Sequence, residues 1–213
     1  GGKVRSSSHA QTWGVQTMTG LLLGIVAVQT ARMLPQAFFG LYAEKALAVS
    51  PWVTGSCYGA TALGLCVSAT AWSRRFARGV RRDILAEAAL CAGACALLTL
   101  GQLPGVPLPA LLAARFLWGV CLGALLPVFY ALLSREAPDS RQGMAMGWGN
   151  AAAKAGALAG TVLGGTMLGV LPLQWLMMPV AVAYALTALS LWRLRRMGTP
   201  SSRDLGLAAR SEG

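Results

Sequence analysis

The chain has 213 residues, of which 55% are hydrophobic and only 12% are charged. A water-soluble domain normally carries about 25% charged residues, so this composition excludes an ordinary soluble protein and indicates a lipid environment. The net charge of +11 does not indicate a nucleic-acid binder, because the basic residues fall into short patches between apolar stretches.

Six apolar stretches are long enough to cross a hydrocarbon core, which takes about 20 residues. They are residues 17–42, 52–72, 84–103, 108–133, 143–170 and 173–192. Lipid permits only helices or closed barrels, and stretches of this length without alternating polarity are helices. The sequence therefore predicts a six-helix transmembrane unit (16–196) between a polar cytosolic lead (1–15) and a disordered cytosolic tail (197–213).

Basic residues concentrate on one side of this predicted bundle. An even number of spans places both termini on the same side as the loops at 73–83 and 134–142, which are rich in arginine. The only basic residue in the loops on the other side is Lys45. By the positive-inside rule, both termini are predicted to be cytoplasmic.

The first and fourth spans share two features that indicate an internal duplication. Each carries a proline near its far end, Pro35 or Pro127, and each carries an arginine within the span, Arg32 or Arg115. Interrupted helices at corresponding positions of two repeats are typical of a transporter binding region. The predicted fold is thus an all-α membrane protein of six helices arranged as two inverted three-helix repeats.

Glycines dominate the fifth span. Three of them recur at every fourth residue and form a stripe that lets a neighbouring backbone approach closely. Generic packing between small residues would produce the same stripe, so the stripe alone leaves the function open. The full spaced set is Gly147, Gly156, Gly160, Thr161, Gly164 and Gly165.

In this glycine set the chain resembles the major facilitator superfamily, particularly its drug and metabolite exporters. Their antiporter motif G-x8-G-x3-G-P-x2-G-G matches at every glycine, with Thr161 in place of the proline. The stretch from Arg115 to Gly119 resembles the R-x-x-Q-G motif of the family, with Trp118 in place of glutamine. The basic loop at 72–82 is similar to a degenerate copy of the family loop, which is usual in the C-terminal half.

The resemblance implies the C-terminal six-helix half of a major facilitator transporter, performing secondary active efflux of a small organic solute by alternating access. It implies a missing N-terminal six-helix half as partner, proton coupling through that half, and no cofactor. The implied location is the inner (cell) membrane of a bacterium, with multiple spans.

Three cations lie well inside the predicted spans, and each costs about 2.5–3.5 kcal/mol at mid-bilayer. Arg115 is expected to tie helices together through backbone carbonyls. Arg32 and Lys154 are expected to meet substrate in a cavity shared with Gln36 and Asn150. No acidic residue lies deep in a span, which favours anionic or carboxylate-bearing substrates such as citrate-type siderophores. Alternatively, acids of the missing half neutralise both cations.

Two other functions were weighed against transport. An intramembrane enzyme is disfavoured, because His9 lies outside the spans and no buried set of metal ligands accompanies the five cysteines. We therefore predict neither catalysis nor a metal. A non-transporting membrane scaffold or subunit stays open as the alternative.

Overall fold

The computed structural model describes residues 4–137 and 139–196, with side chains from residue 18 onward except at 138 and 139. Within these ranges the chain forms α-helices joined by short turns, and no strand. The helices are α1 (Val4–Met33), α2 (Phe39–Lys45), α3 (Pro51–Arg78), α4 (Arg81–Leu100), α5 (Leu108–Glu136), α6 (Gln142–Val170) and α7 (Met177–Arg196). The predicted disordered tail lies outside the described residues, as do the first three residues of the lead.

The first predicted span is two helices rather than one. α1 ends at Met33, a 3₁₀ turn covers Pro35–Ala37, and α2 begins at Phe39. Proline lacks an N–H and its ring clashes with the carbonyl of the preceding turn, so a helix usually ends just before it. The first span is therefore interrupted near its far end, at the proline that the sequence analysis singled out. Pro127 lies inside α5 without ending it, so the two prolines do not mark equivalent interruptions.

Five described segments are long and apolar enough to cross a membrane. They are Met18–Ala37, Arg81–Leu100, Leu108–Glu136, Gln142–Val170 and Leu173–Arg196. α3 falls short, because threonine, serine and glycine dilute its apolar residues, although no charge interrupts it from Pro51 to Trp72. Several of these small residues are buried, among them Thr61 and Ser68, so they face a neighbouring helix instead of lipid. The spanning role of α3 stays a prediction.

The helix contacts have the pattern of a three-plus-three repeat. α3 packs most extensively on α5, α1 on α6, and α4 on α7. In such a repeat α1 corresponds to α5, α3 to α6 and α4 to α7. The α3–α5 pair then corresponds to the α6–α1 pair, and the α4–α7 pair corresponds to itself. This all-α architecture is the one predicted from the sequence.

Close backbone approach also occurs at the α3–α5 pair. A Cβ at Gly64 would overlap the carbonyl oxygen of Phe116, and one at Gly119 would overlap that of Thr61. The Thr61 hydroxyl donates to the Arg115 carbonyl at 3.3 Å. Glycine is therefore required on both helices where they cross, because any side chain would separate them.

Arginines join the helices at one end of the bundle, which is called here the basic end. It comprises residues 79–80, residues 137 and 139–141, and the last turn of α7. The Arg135 guanidinium donates to the carbonyl oxygen of Phe76 at 2.7 Å, which satisfies a free carbonyl in the last turns of α3. Two exposed ion pairs add to this contact, Arg75–Glu87 and Arg81–Glu136.

Candidate functional site

The candidate site lies on the side of α6 that faces away from α1. Asn150 and Lys154 are both exposed there and lie one helical turn apart. Tyr130 of α5 reaches this face, and its hydroxyl donates to Asn150 Oδ1 at 3.0 Å. Sequence reasoning missed Tyr130, whose only signal was its position one turn after Pro127. An ammonium, an amide and a phenol are thus available to a polar solute.

A cavity of about 480 Å³ adjoins this face between α3 and α5. Tyr130 and Pro127 line it on α5, and Ser73 and Ala77 line it on α3. Arg135 and Ser134 close it toward the basic end. The cavity therefore offers hydroxyl groups and one guanidinium among apolar walls, which is the usual composition of a small-molecule site.

Arg32 does not share this face. It continues the interior face of α1 that carries Ile25 and Val28, and it is half-buried. Because Thr30 lies opposite Gly160, Arg32 is about 12 Å from Lys154 along the helix axis.

Gln36 is exposed on the turn that follows α1. The four residues predicted to bind substrate therefore fall into separate places. Asn150 and Lys154 lie together on α6, while Arg32 lies on the interior face of α1 and Gln36 lies at the break after α1.

Arg115 lies in the N-terminal third of α5 and is only 1% exposed. Its Nε and Nη2 have no hydrogen-bond partner among the described residues, so the prediction that it ties helices through backbone carbonyls is wrong for these atoms. Instead, its Cζ lies 3.3 Å from the ring centroid of Phe39 and 5.4 Å from that of Trp118. A cation over an aromatic face is attracted by the ring quadrupole, most strongly where water is excluded.

The glycine set divides between two faces of α6. Gly156, Gly160 and Gly164 are buried against α1, and a Cβ at Gly160 would lie 2.5 Å from the Thr30 carbonyl oxygen. Thr30 also donates its hydroxyl to the Gly156 carbonyl at 3.1 Å.

The other members of the set have no such contact. Gly147 and Gly165 have open space where a Cβ would stand. Thr161 is exposed and donates its hydroxyl to the Ala157 carbonyl of its own helix. The matched motif therefore contains one packing stripe and one exposed edge next to Lys154.

Comparison with known proteins agrees with this architecture. The sequence pattern of the Major Facilitator Superfamily matches residues 21–211. The chain is 26% identical over 191 residues to the uncharacterized MFS-type transporter YuxJ of Bacillus subtilis (strain 168), and the match covers 89% of this chain and 46% of that protein. The chain thus spans about half the length of this curated relative. Because the family pattern covers nearly the whole chain, the protein is a member of the Major Facilitator Superfamily of membrane transporters.

Proposed function

We propose that the chain works as one six-helix half of a secondary transporter that moves a small organic solute by alternating access. The observation that carries this proposal is the exposed Lys154 in the middle of an apolar helix. A lysine that faced lipid at that depth would cost about 2.5–3.5 kcal/mol, so such residues normally face an aqueous cavity or another part of the protein. In this proposal the exposed side of α6 is one wall of the substrate cavity.

The opposite wall comes from an N-terminal six-helix half. Its support is the length of the relative, of which the chain matches 46%. The basic end faces the cytoplasm, because arginine-rich loops are retained on that side. Transport runs outward by exchange, as the glycine motif of the exporters implies, and a carboxylate of the other half carries the coupling proton.

The favoured substrates carry a carboxylate, as in organic acids and citrate-type siderophores. Lys154 supplies the charge, and the Tyr130–Asn150 pair supplies neutral hydrogen-bonding groups. Attraction between a cation and an anion is several-fold stronger in a cavity of low dielectric than in bulk water. The exposed side of α6 therefore favours anions over lipophilic cations.

The test is flux in liposomes of known orientation. Two proteins are reconstituted: the chain alone, and the chain joined to an N-terminal half of the same family. Each is supplied with citrate under a proton gradient. Saturable citrate flux is expected only from the joined protein. Saturable flux by a proven monomer of the chain alone would contradict the half-transporter proposal, and absence of flux for every solute with the joined protein would favour a non-transporting subunit.

A further inference from the structure

A second cavity lies between α1 and α7, and neither Asn150 nor Lys154 lines it. It is called here the α1–α7 cleft, and it is formed by residues 20–31 of α1 and 183–194 of α7, with Phe129 of α5 as its floor. Its volume is 520 Å³. Leu23 and Leu186 at its rim are 63% and 59% exposed, so the cleft opens on the outside of the bundle.

The internal repeat makes this cleft unexpected. Under the exchange of the two repeats, the α1–α7 pair corresponds to the α5–α4 pair. α4 packs closely along α5, whereas α1 contacts α7 much less. The fold therefore does not require a gap at this position. Small residues of α1 line the gap, among them Gly20, Gly24 and Ala27, and the Phe129 ring packs where a side chain at Gly24 would lie.

The walls of the cleft offer no free hydroxyl donors to a polar ligand. Thr187 donates to the Ala183 carbonyl and Ser190 to the Leu186 carbonyl, both at 2.8 Å. The third hydroxyl, on Thr30, is bonded to α6. Because all three hydroxyls already donate to backbone carbonyls, the walls favour an apolar occupant.

The length of the cleft matches one leaflet of a bilayer. Residues 183–194 of α7 rise by about 16 Å, at 1.5 Å per residue. The hydrocarbon core of a bilayer is about 30 Å thick, so one leaflet contributes about 15 Å. An acyl chain aligned with α7 would therefore fill the cleft from the basic end to about the membrane centre.

Cations stand at the basic end of the cleft. Arg195 follows Leu191, which lines the cleft, by one helical turn and so shares its face. Its guanidinium lies 4.6 Å from the Trp192 ring, and its buried Nε has no hydrogen-bond partner among the described residues. Arg193 and Arg196 belong to the same turn. Basic residues at this level of a membrane protein attract anionic headgroups.

We propose that the α1–α7 cleft binds one anionic phospholipid from the leaflet at the basic end, with an acyl chain in the cleft and the phosphate at Arg195. The apolar walls, the one-leaflet length and the adjacent cations each match one part of such a lipid. The lipid would fill the space that the other repeat fills with helix contacts. This site is separate from the proposed substrate cavity.

Native mass spectrometry of the full chain tests the proposal, with dioleoylphosphatidylglycerol as the anionic lipid and dioleoylphosphatidylcholine as the zwitterionic one. We expect one retained phosphatidylglycerol, bound at least about fivefold more tightly than phosphatidylcholine. Arg195→Gln should reduce this preference about fivefold while phosphatidylcholine binding is unchanged. Equal retention of the two lipids by the unmodified chain would overturn the proposal.

A second set of variants tests the cleft itself. Ala27→Phe should fill it and remove retention of both lipids, whereas Ala185→Phe, on an exposed face of α7 outside the cleft, should retain them. Leu23→Trp fills the rim and replaces Ala27→Phe if that variant melts at a lower temperature than the unmodified chain. Equal lipid retention by filled and control variants overturns the proposal. So does a dimer that only the filling variants abolish, which would make the cleft an interface between copies.

Discussion

The guanidinium of Arg115 lies 3.3 Å from the centre of the Phe39 ring, and this contact joins the N-terminal third of α5 to the first residue of α2. Both side chains are 1% exposed. The break at Pro35 ends α1 and restarts the helix at Phe39, where the ring covers the buried cation. The helix break after α1 therefore places the aromatic ring that covers the buried Arg115.

The first prediction concerns the energy of this contact. Phe39→Leu should destabilise the chain more when Arg115 is present than in an Arg115→Met background, by about 2 kcal/mol, because a desolvated cation–ring contact has that magnitude. The measurement is a double-mutant cycle of unfolding free energies in detergent. Phe38→Leu is the matched control, since Phe38 is equally buried. Equal coupling of Arg115 to both phenylalanines would contradict the role given to Phe39.

The second prediction separates the two faces of α6. Gly160→Leu should destabilise the chain by about 1–3 kcal/mol, because its side chain would overlap the Thr30 carbonyl and force α1 and α6 apart. Gly147→Leu should be neutral or slightly stabilising, since its Cβ would meet open space and leucine favours a helix.

Circular dichroism during chemical unfolding in detergent measures both effects on the isolated chain. Similar losses for the two variants would mean that the contact of the stripe with α1 does not decide stability. A Gly160→Leu variant as stable as the unmodified chain would show that the helices can adjust at no cost.

Much of this fold could be predicted from the sequence, for specific reasons. Long apolar stretches between arginine-rich loops report helix positions directly, because lipid leaves few other structures available. The sequence did not show which of the two prolines ends a helix, because proline interrupts some membrane helices and not others. Pro35 lies where the chain leaves α1, whereas the helix continues through Pro127. Local sequence does not distinguish these two outcomes.

The third prediction concerns the basic end. Arg135→Gln should cost about 1 kcal/mol, because it removes donors to the carbonyls of Phe76 and Ala77 at 2.7 and 3.2 Å. Arg74→Gln is the control at an exposed arginine on the same end and should change stability by less than about 0.5 kcal/mol. Thermal unfolding of both variants in one detergent checks the difference. Equal melting temperatures would show that the contact of Arg135 with α3 adds no stability.

The candidate site was less accessible to sequence reasoning than the fold. Helical spacing placed Asn150 and Lys154 on one face, because residues four apart are neighbours on a helix. Spacing along one helix could not show that Tyr130 of α5 reaches Asn150, or that Arg32 lies on the interior face of α1. Both depend on how helices rotate against each other, which tertiary packing decides.

The last prediction concerns substrate charge in the joined transporter. Lys154→Gln should weaken transport of carboxylates by about tenfold to a hundredfold in KM, because a hydrogen bond to a charged group contributes about 1.5–3 kcal/mol. Lys154→Arg, which keeps the charge, should retain most of the activity. Arg32→Gln should have a smaller effect on KM, since Arg32 lies on the interior face of α1 and about 12 Å away along the axis.

The measurement compares, for each variant, the flux of citrate with the flux of the lipophilic cation tetraphenylphosphonium. It shows whether Lys154 selects the charge of the substrate. If Lys154 attracts anions, its neutralisation lowers citrate flux and leaves the cation unaffected. If acids of the other half neutralise Lys154 instead, the substitution leaves those acids unpaired, and transport of both solutes changes together. Normal citrate transport by both Lys154→Gln and Arg32→Gln would show that neither cation selects the substrate. A loss confined to tetraphenylphosphonium would show that the charge of the cavity acts in the opposite sense.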